Sequence, residues 1–326
     1  MAKPDRVSLI KQLEEKREGT HVVSYITSTR PGMEVPMSMD SIRKIYEHLR
    51  LISKPKDQVK IDLFIHSNGG DGIVPWKLVT LIREYTHYFS VLVPHRAFSA
   101  ATLTALGADS IVMHPMGMLG PTDPTVANPF NPVDANGQAI GISVEDVTAY
   151  IALIKEDAGI RHEDELVQAL KILADKVHPL ALGNVKRSLS QSHMMAQKLL
   201  SLHMDSSTKE HEINEIVDSL TSKLFYHGHP IGRKEATEQV KLTTIKKPSA
   251  EVEELMWKLY LEYEQEIKIE EPFQPASEFL AQHPNLAPGT SATTSLTKAK
   301  TAYIESANRT DVATVDYEIL GGKTAE

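Results

Sequence analysis

Residues Val91–Asp109 read VLVPHRAFSAATLTALGAD, in which an apolar run passes into a series of small residues. The apolar run Val91–Val93 predicts a strand that stops at Pro94, and the small residues that follow predict a helix opening at or near Ser99. A strand that leads directly into a helix is a building unit of α/β proteins. The start of a helix also carries free backbone N–H groups. Ser99 is therefore either a helix N-cap or a nucleophile beside donors for an oxyanion.

Strand and helix patterns alternate along the rest of the chain. Strands are predicted at His21–Thr29, Val59–His66 and Ser110–Met113. Helices are predicted at Asp5–Arg17, Ser41–Leu51, Val74–Tyr88, Ser143–Glu156, Glu163–Val177, Val185–His203 and Ala250–Lys268. This alternation is typical of an α/β fold with a mostly parallel sheet built from right-handed crossovers.

Composition excludes several classes of protein. The 326 residues allow one large domain with appendages or two modest domains. A net charge of −8, without a Lys/Arg run, argues against a nucleic-acid partner, and the absence of cysteine excludes thiolate chemistry. No segment approaches the roughly 20 apolar residues of a membrane span, and the N-terminus shows no apolar signal core. We therefore expect a cytoplasmic protein without a membrane span.

Two loops flank the opening stretch. Gly69 and Gly70 follow the predicted strand Val59–His66, and adjacent glycines permit positive φ and close backbone approach. The same pattern also suits a plain βα turn, and its spacing matches no phosphate-binding motif. The second loop, Met113–Pro124, is rich in Pro and Gly and includes His114 and Asp123, which nothing in the sequence places near Ser99.

The ordered set of FIHSNGG (Phe64–Gly70), VPHRAFSAATLTALGADSIVM (Val93–Met113) and LGPTDP (Leu119–Pro124) resembles the ClpP/crotonase-like serine peptidases, in particular the serine dehydrogenase proteinase family. The resemblance implies a ClpP/crotonase-like fold of repeated ββα and βα units with a mostly parallel sheet. Asn68 departs from the family pattern, because many relatives have proline before the two glycines.

The resemblance also implies a role for each matching residue. Ser99 takes the position of the nucleophile, and Gly70 and Ala100 take the positions whose backbone N–H groups form the oxyanion hole. Gly69 shapes the turn. The implied activity is that of a serine endopeptidase that acts through an acyl-enzyme on a protein or peptide substrate, requires no metal or organic cofactor, and assembles as a homo-oligomer.

The general base is less well defined by the sequence. Members of the fold use either a His–Asp pair or a single lysine, and Gly120–Pro124 contains no histidine where the His–Asp version needs one. A lysine dyad therefore fits better, with a lysine whose pKa burial lowers from ~10.4. In lysine-dyad relatives the base lies at or just before the start of the long helix, which favours Lys186. Lys176, Lys155 or a histidine remain alternatives.

Three further expectations concern the C-terminal part. His227 and His229 could share a face of a strand and ligate a metal, but no carboxylate is placed to complete such a site. Pro272–Thr297 is rich in Pro, Ser, Thr and Ala and is expected to be extended or partly disordered. The alternation in Ala302–Leu320 predicts a hairpin turning around Ala307–Asp311.

The predicted organisation is an N-terminal helical arm (1–20), a Clp-fold peptidase domain (21–245) and a C-terminal region with a helix, a linker and a hairpin (246–326). Two other functions remain open from the sequence. One is a catalytically inactive Clp-fold scaffold that binds peptides. The other is crotonase-type acyl-CoA chemistry, which would need an acidic base and a basic pocket for the CoA phosphates.

Overall fold

The computed structural model describes residues 2–122, 125–126, 129–134, 137, 140–223, 228–287 and 289–322. The strands are β1 (His21–Thr27), β2 (Lys60–His66), β3 (Tyr88–Val93), β4 (Arg96–Ala97), β5 (Ser110–Met113), β6 (Met118–Leu119), β7 (Thr125–Val126), β8 (Ile142–Ser143), β9 (Ile245–Lys246), β10 (Ser291–Ser306) and β11 (Arg309–Gly322).

The α-helices are α1 (Ala2–Lys16), α2 (Asp40–Leu49), α3 (Val74–Tyr85), α4 (Ala100–Leu106), α5 (Val144–Ala152), α6 (Glu163–Lys176), α7 (Pro179–Leu200), α8 (Ser206–Asp218), α9 (Arg233–Glu238), α10 (Ala250–Ile267) and α11 (Pro275–Gln282). A 3₁₀ turn lies at Lys56–Gln58, and π-helical turns follow α5 at Leu153–Asp157 and α8 at Ser219–Lys223.

A seven-stranded sheet runs in the order β11-β10-β1-β2-β3-β5-β9. The pairs from β1 to β9 are parallel, and the pairs that β10 makes with β1 and β11 are antiparallel. The predicted α/β class with a mostly parallel sheet is confirmed. The predicted hairpin is present, and its first strand extends the central sheet because Val23 lies opposite Ser306 and Thr27 opposite Ala302. The division into an arm, a domain and a C-terminal region stays a prediction.

Helices cover both faces of the sheet. Along β2, Leu63 and Ile65 contribute to a core with α2, α3, α4, α7 and α8, whereas Phe64 points to a second core with α1 and α10. Strand residues alternate between the two faces of a sheet. Both faces of β2 are buried, so its apolar residues Ile61, Leu63, Phe64 and Ile65 are consecutive but for Asp62, which is buried as well. In the described residues no helix is both long and apolar enough to cross a membrane.

Two predicted helix boundaries were wrong. The helix predicted over Val74–Tyr88 ends at Tyr85, because Thr86 adopts an extended conformation and its hydroxyl bonds the carbonyl groups of Val59 and Tyr88. The helix predicted to begin at Val185 begins at Pro179. Proline suits the first turn of a helix, and the side chain of His178 caps it by accepting a hydrogen bond from the Leu180 N–H at 3.2 Å.

The prediction for Pro272–Thr297 was also wrong in part. Pro275–Gln282 forms α11, and β10 begins at Ser291. The helix is held by a tertiary contact that composition does not reveal: a Cβ on Gly321 would come within 2.8 Å of the Phe279 ring, so the aromatic ring packs directly on the backbone of β11.

Histidines lie on the α10 side at the carboxyl ends of the parallel strands. His66 ends β2, is fully buried, and stacks on His95 with 5.6 Å between ring centroids. The Nε2 of His66 lies 3.0 Å from Thr29 Oγ1, and its Nδ1 accepts a hydrogen bond from Arg96 N at 3.3 Å. Burial, followed by the nearby His95 and Arg96, holds the pKa of His66 well below its ordinary value.

This buried histidine predicts acid sensitivity. The unfolded chain binds a proton at His66 near pH 6.5, and the folded chain does so only at lower pH, so stability falls as pH drops through about 6.5. Each such proton contributes up to about 1.4 kcal/mol per pH unit. Urea titrations between about pH 8 and 5.5 are expected to show a shallower pH dependence for His66→Gln than for the wild type. An unchanged slope in His66→Gln would contradict this assignment.

Candidate active site

The loop after β2 and the loop before α4 are joined by a short parallel pairing. Ser67 lies opposite Ala97: Ser67 N donates to Arg96 O at 3.0 Å, and Phe98 N donates to Ser67 O at 3.0 Å. The predicted glycine turn and the predicted helix start are therefore held side by side.

Gly69 makes the closest approach between these two segments. Its φ is +98°, and a Cβ at this position would lie 2.6 Å from Ser99 Cβ, 2.7 Å from Phe98 O and 3.0 Å from Ala100 N. Any other residue would therefore meet both steric strain and a clash with backbone. The turn-shaping role of Gly69 in the site stays a prediction.

Gly70 and Ala100 each present a backbone N–H without an acceptor among the described residues. Gly70 pairs with Met37, where Met37 N donates to Gly69 O at 2.7 Å and Asp71 N donates to Met37 O at 3.0 Å. In this parallel pattern the N–H of Gly70 points away from Met37. Ala100 is the first residue of α4, where a backbone N–H has no partner within the helix.

Ser99 has the backbone of a strained turn. Its φ is +51° and its ψ is −115°, an uncommon conformation for a residue with a side chain. Its hydroxyl makes no capping hydrogen bond to α4, and none to any other described residue. A Ser that served only as an N-cap would accept a hydrogen bond from the first turn. Strain of this kind is concentrated at functional sites.

Ser99 opens onto a cavity of about 460 Å³ that Gly70 also lines. Its other lining residues are Asn68, Asp71, Gly72, Leu103, Thr122, Ser188, Gln191 and Ser192. Asp71 is the single charged residue among them. The wall is otherwise rich in neutral hydrogen-bonding groups, which suits the amide groups of a peptide.

None of the predicted lysine bases lines this cavity. Lys186, Lys176 and Lys155 are all exposed. Because α7 begins at Pro179, Lys186 lies in its second turn rather than at its start. Residues two apart on a helix point in opposite directions, so Lys186 faces away from Ser188. The structure brings Ser99, Gly69, Gly70 and Ala100 together and does not bring Lys186 to them.

The histidine candidates lie elsewhere. His114 is buried on the α10 side, where it stacks on Trp257 at 5.0 Å, and its Nδ1 accepts a hydrogen bond from Met116 N. His229 is bound to Glu235 Oε1 at 2.7 Å. His227 and Asp123 lie outside the described residues. Within the described ranges, no group of three His, Cys, Asp or Glu side chains could hold a metal ion.

Helix α7 forms one wall of the cavity, which was not predicted from the sequence. Ser188 and Ser192 follow the spacing of the buried Val185 and Met195, so the apolar stripe of the helix continues into small polar residues at the cavity. Ser192 Oγ donates to Thr122 O at 2.5 Å and thereby ties this helix to the loop that follows β6.

A His–Asp pair was missed as well. His193, next to Ser192 on α7, lies 3.1 Å from Asp218 Oδ1 on α8, measured from its Nε2. Asp218 is the last residue of α8, a helix that was not predicted from the sequence. Asp205, directly before Ser206, is nonetheless an N-cap signal. His193 does not line the cavity.

Ser99 thus has an uncommon backbone conformation at the carboxyl end of the parallel strands, and it lies beside Gly70 and Ala100, whose backbone N–H groups have no acceptor among the described residues. The family of ClpP-like SDH-type serine proteinases matches residues 2–179. The chain belongs to this family.

Individual relatives are more distant. Two uncharacterised proteins of Methanocaldococcus jannaschii are similar: one is 28% identical over 170 residues and the other 32% identical over 158 residues. These matches cover 51% and 47% of this chain, and 58% and 55% of the relatives. The chain thus spans little more than half the length of either relative.

Among solved structures, two variants of the membrane-bound stomatin-specific protease 1510-N are similar, one of them in complex with a substrate peptide. Their TM-scores are 0.40 and 0.38, at 12% and 13% identity. The matches cover 72% of this chain in both cases, and 78% and 80% of the matched chains. A likeness this remote carries no argument about the site.

The close approach at Gly69 predicts a large effect of a single methyl group. Gly69→Ala is expected to lower the free energy of unfolding by at least about 1–3 kcal/mol, because positive φ and the clash with Ser99 act together. Gly183→Ala on α7 is the matched control: its Cβ would meet nothing within 4 Å, so the free energy should stay level or rise by up to about 1 kcal/mol. Urea unfolding measures both, and a neutral Gly69→Ala would contradict the geometry.

Proposed function

We propose that this protein is a serine endopeptidase. Ser99 Oγ bonds to the carbonyl carbon of a peptide while its proton passes to a base. The carbonyl electrons move to the oxygen, which the N–H groups of Gly70 and Ala100 bind. The C–N bond then breaks, the amine leaves with the proton, and water releases the acyl group from Ser99 by the same steps in reverse.

One observation carries the proposal. Ser99 has an unbonded hydroxyl on a strained backbone, beside a turn whose Gly70 N–H has no acceptor among the described residues. An oxyanion hole needs preorganised donors, and loss of one typically costs ~10²–10³ in rate. Membership of the ClpP-like SDH-type serine proteinase family supports the same chemistry.

The base remains a proposal. The family resemblance favours a lysine, and among the lysines it favours Lys186. Lys186, Lys176 and Lys155 are all exposed, so burial does not distinguish between them and all three stay candidates. His193 joins these candidates because its ring is already paired with Asp218, as in a His–Asp dyad, and it follows the cavity residue Ser192 directly.

Two other functions predict different sites. Acyl-CoA chemistry needs cationic residues for the CoA phosphates, and the cavity has no Lys or Arg among its described lining residues. A peptide-binding scaffold needs no free nucleophile, whereas Ser99 is held in a costly conformation without a capping bond. Peptidase activity therefore explains more of the site. Localisation in the cytoplasm stays a prediction.

Labelling with a fluorophosphonate probe tests the nucleophile. The wild type and Ser201→Ala, which removes an exposed serine at the end of α7, are expected to react covalently. Ser99→Ala should lose all labelling, because the reacting oxygen is gone. Mass spectrometry of the labelled peptide then identifies the modified residue. An unreactive wild type would contradict the proposal.

The same assay identifies the base. Removal of a general base typically slows the reaction by ~10²–10⁴. Alanine variants of Lys186, Lys176, Lys155 and His193 are compared with the wild type, and the true base is the residue whose loss slows labelling by that factor. If all four variants label at the wild-type rate, each of them is excluded as the base.

We also propose self-association through α6. All of this helix lies in the described part of the chain, and none of its residues is buried. Its apolar residues Leu166, Val167, Leu170 and Leu173 recur at helical spacing and lie along one side of the helix. Val167 and Leu170 on this side are 62% and 48% exposed. The apolar side of a helix is normally packed against another element.

Charge favours a second copy of the same helix as the partner. The first turn of α6 has Glu163, Asp164 and Glu165, and its second half has Lys171, Asp175 and Lys176. In an antiparallel pair related by a twofold axis, the acidic first turn of each helix faces the half of its partner that carries the two lysines, and the two helix dipoles oppose each other. A homo-oligomer is thus supported by sequence family and by surface chemistry alike.

Sedimentation analysis tests this interface. The wild type is expected to sediment as an oligomer, and Leu170→Glu should shift it toward the monomer because a charge would be buried at the centre of the pair. Gln12→Glu adds the same charge to the exposed face of α1 and should leave the sedimentation unchanged. A monomeric wild type, or an unaffected Leu170→Glu, would exclude this interface.

A further inference from the structure

Two buried hydroxyl groups lie directly under the glycine turn. Thr27 ends β1 and Ser67 follows β2, and the parallel pairing of these strands places them side by side after the pair Ile26 and His66. Thr27 is 1% exposed and Ser67 is not exposed at all. Thr27 Oγ1 donates to Ser67 Oγ at 2.8 Å.

Ser67 also bonds to the glycine turn. Its Oγ accepts a hydrogen bond from Gly69 N at 3.0 Å, and its own proton is directed at Gly69 O, 3.4 Å away. A hydroxyl offers one proton and two lone pairs. With Thr27 and Gly69 N as donors, the hydrogen-bonding capacity of Ser67 Oγ is used completely at this one turn.

The peptide between Gly69 and Gly70 is therefore held from one side. Its carbonyl oxygen accepts from Met37 N at 2.7 Å and faces Ser67 Oγ. A trans peptide is planar, with C=O and N–H pointing in opposite directions. Fixing the carbonyl of Gly69 toward Met37 and Ser67 thus fixes the N–H of Gly70 in the opposite direction, away from Met37 and Ser67.

We propose that Thr27 and Ser67 are positioning residues that orient the Gly70 N–H as an oxyanion donor. The inference rests on the proposed function, and neither residue lines the cavity or contacts a substrate there. Glycines at positions 69 and 70 have unusually wide conformational freedom, so the turn needs an external constraint to keep a single orientation. The two hydroxyls supply it from the core.

A positioning role and a purely structural role predict different effects on the rate of the chemical step. Loss of the hydroxyl network lets the peptide plane rotate, which weakens a contact that is strongest in the transition state. The chemical step then slows while binding of the probe before reaction is unaffected. A packing defect would instead respond to the size of the side chain.

The test uses the full chain and the fluorophosphonate probe, with the maximal labelling rate and the half-saturating probe concentration measured separately. Thr27→Val removes the hydroxyl and keeps the shape, whereas Thr27→Ser keeps the hydroxyl and removes a methyl group. Thr27→Val is expected to lower the maximal rate ~10-fold and Ser67→Ala up to ~100-fold, with the half-saturating concentration unchanged. Thr27→Ser should stay within about twofold of the wild type.

Ser28→Ala is the control for loss of a buried hydroxyl nearby, because Ser28 Oγ bonds Arg30 N and not the turn. It should label at the wild-type rate. The Thr27 pair decides the outcome even if Ser67→Ala fails to fold. Equal rates for Thr27→Val and the wild type, or equal losses in Thr27→Val and Thr27→Ser, would overturn the inference and leave the peptidase proposal intact. An unlabelled wild type would overturn both.

Discussion

The contact of Gly69 with Phe98, Ser99 and Ala100 is the constraint on which the candidate site depends. Two backbone segments meet there at distances that leave no room for a Cβ. Four parallel strand pairings bring the two loops to one edge of the sheet, and the short pairing of Ser67 with Ala97 sets their separation. The position of Ser99 beside Gly70 at the cavity depends on this approach.

The two faces of the sheet carry different groups of functional interest. The face covered by α3, α4 and α7 carries the candidate site, and the face covered by α1 and α10 carries His66, His95 and the ring of Tyr260 that contacts both. His66 and Ser67 are neighbours in the chain, yet they belong to opposite faces. His66, for which acid sensitivity is predicted, is therefore next in the chain to Ser67, which bonds to the Gly69 turn. Both residues lie at the carboxyl end of β2.

The segment from α5 to the first turns of α7 is less firmly tied to the core. Its small apolar cluster is separate from the two main clusters, and no residue of α6 is buried. This segment also carries the lysines that the family resemblance favours as the base. The Lys186 prediction depended on a helix starting at Val185, and the helix starts at Pro179. Residue spacing identifies which side of a helix is apolar, but it does not fix the first residue of the helix. In α7 the cap by His178 marks that first residue as Pro179.

Local spacing and backbone sterics were enough to predict from the sequence the alternation of strands and helices, a helix start at Ser99 and a tight turn at Gly69 and Gly70. The roles of Ser99, Gly69, Gly70 and Ala100 in a site came from the family resemblance, and they stay a proposal. The tertiary structure alone decided the extension of the sheet by β10, the α7 wall of the cavity and the exposed position of Lys186. It also decided the Thr27–Ser67 network, since a hydrogen bond between residues 40 positions apart depends on strand register, which local pattern does not encode.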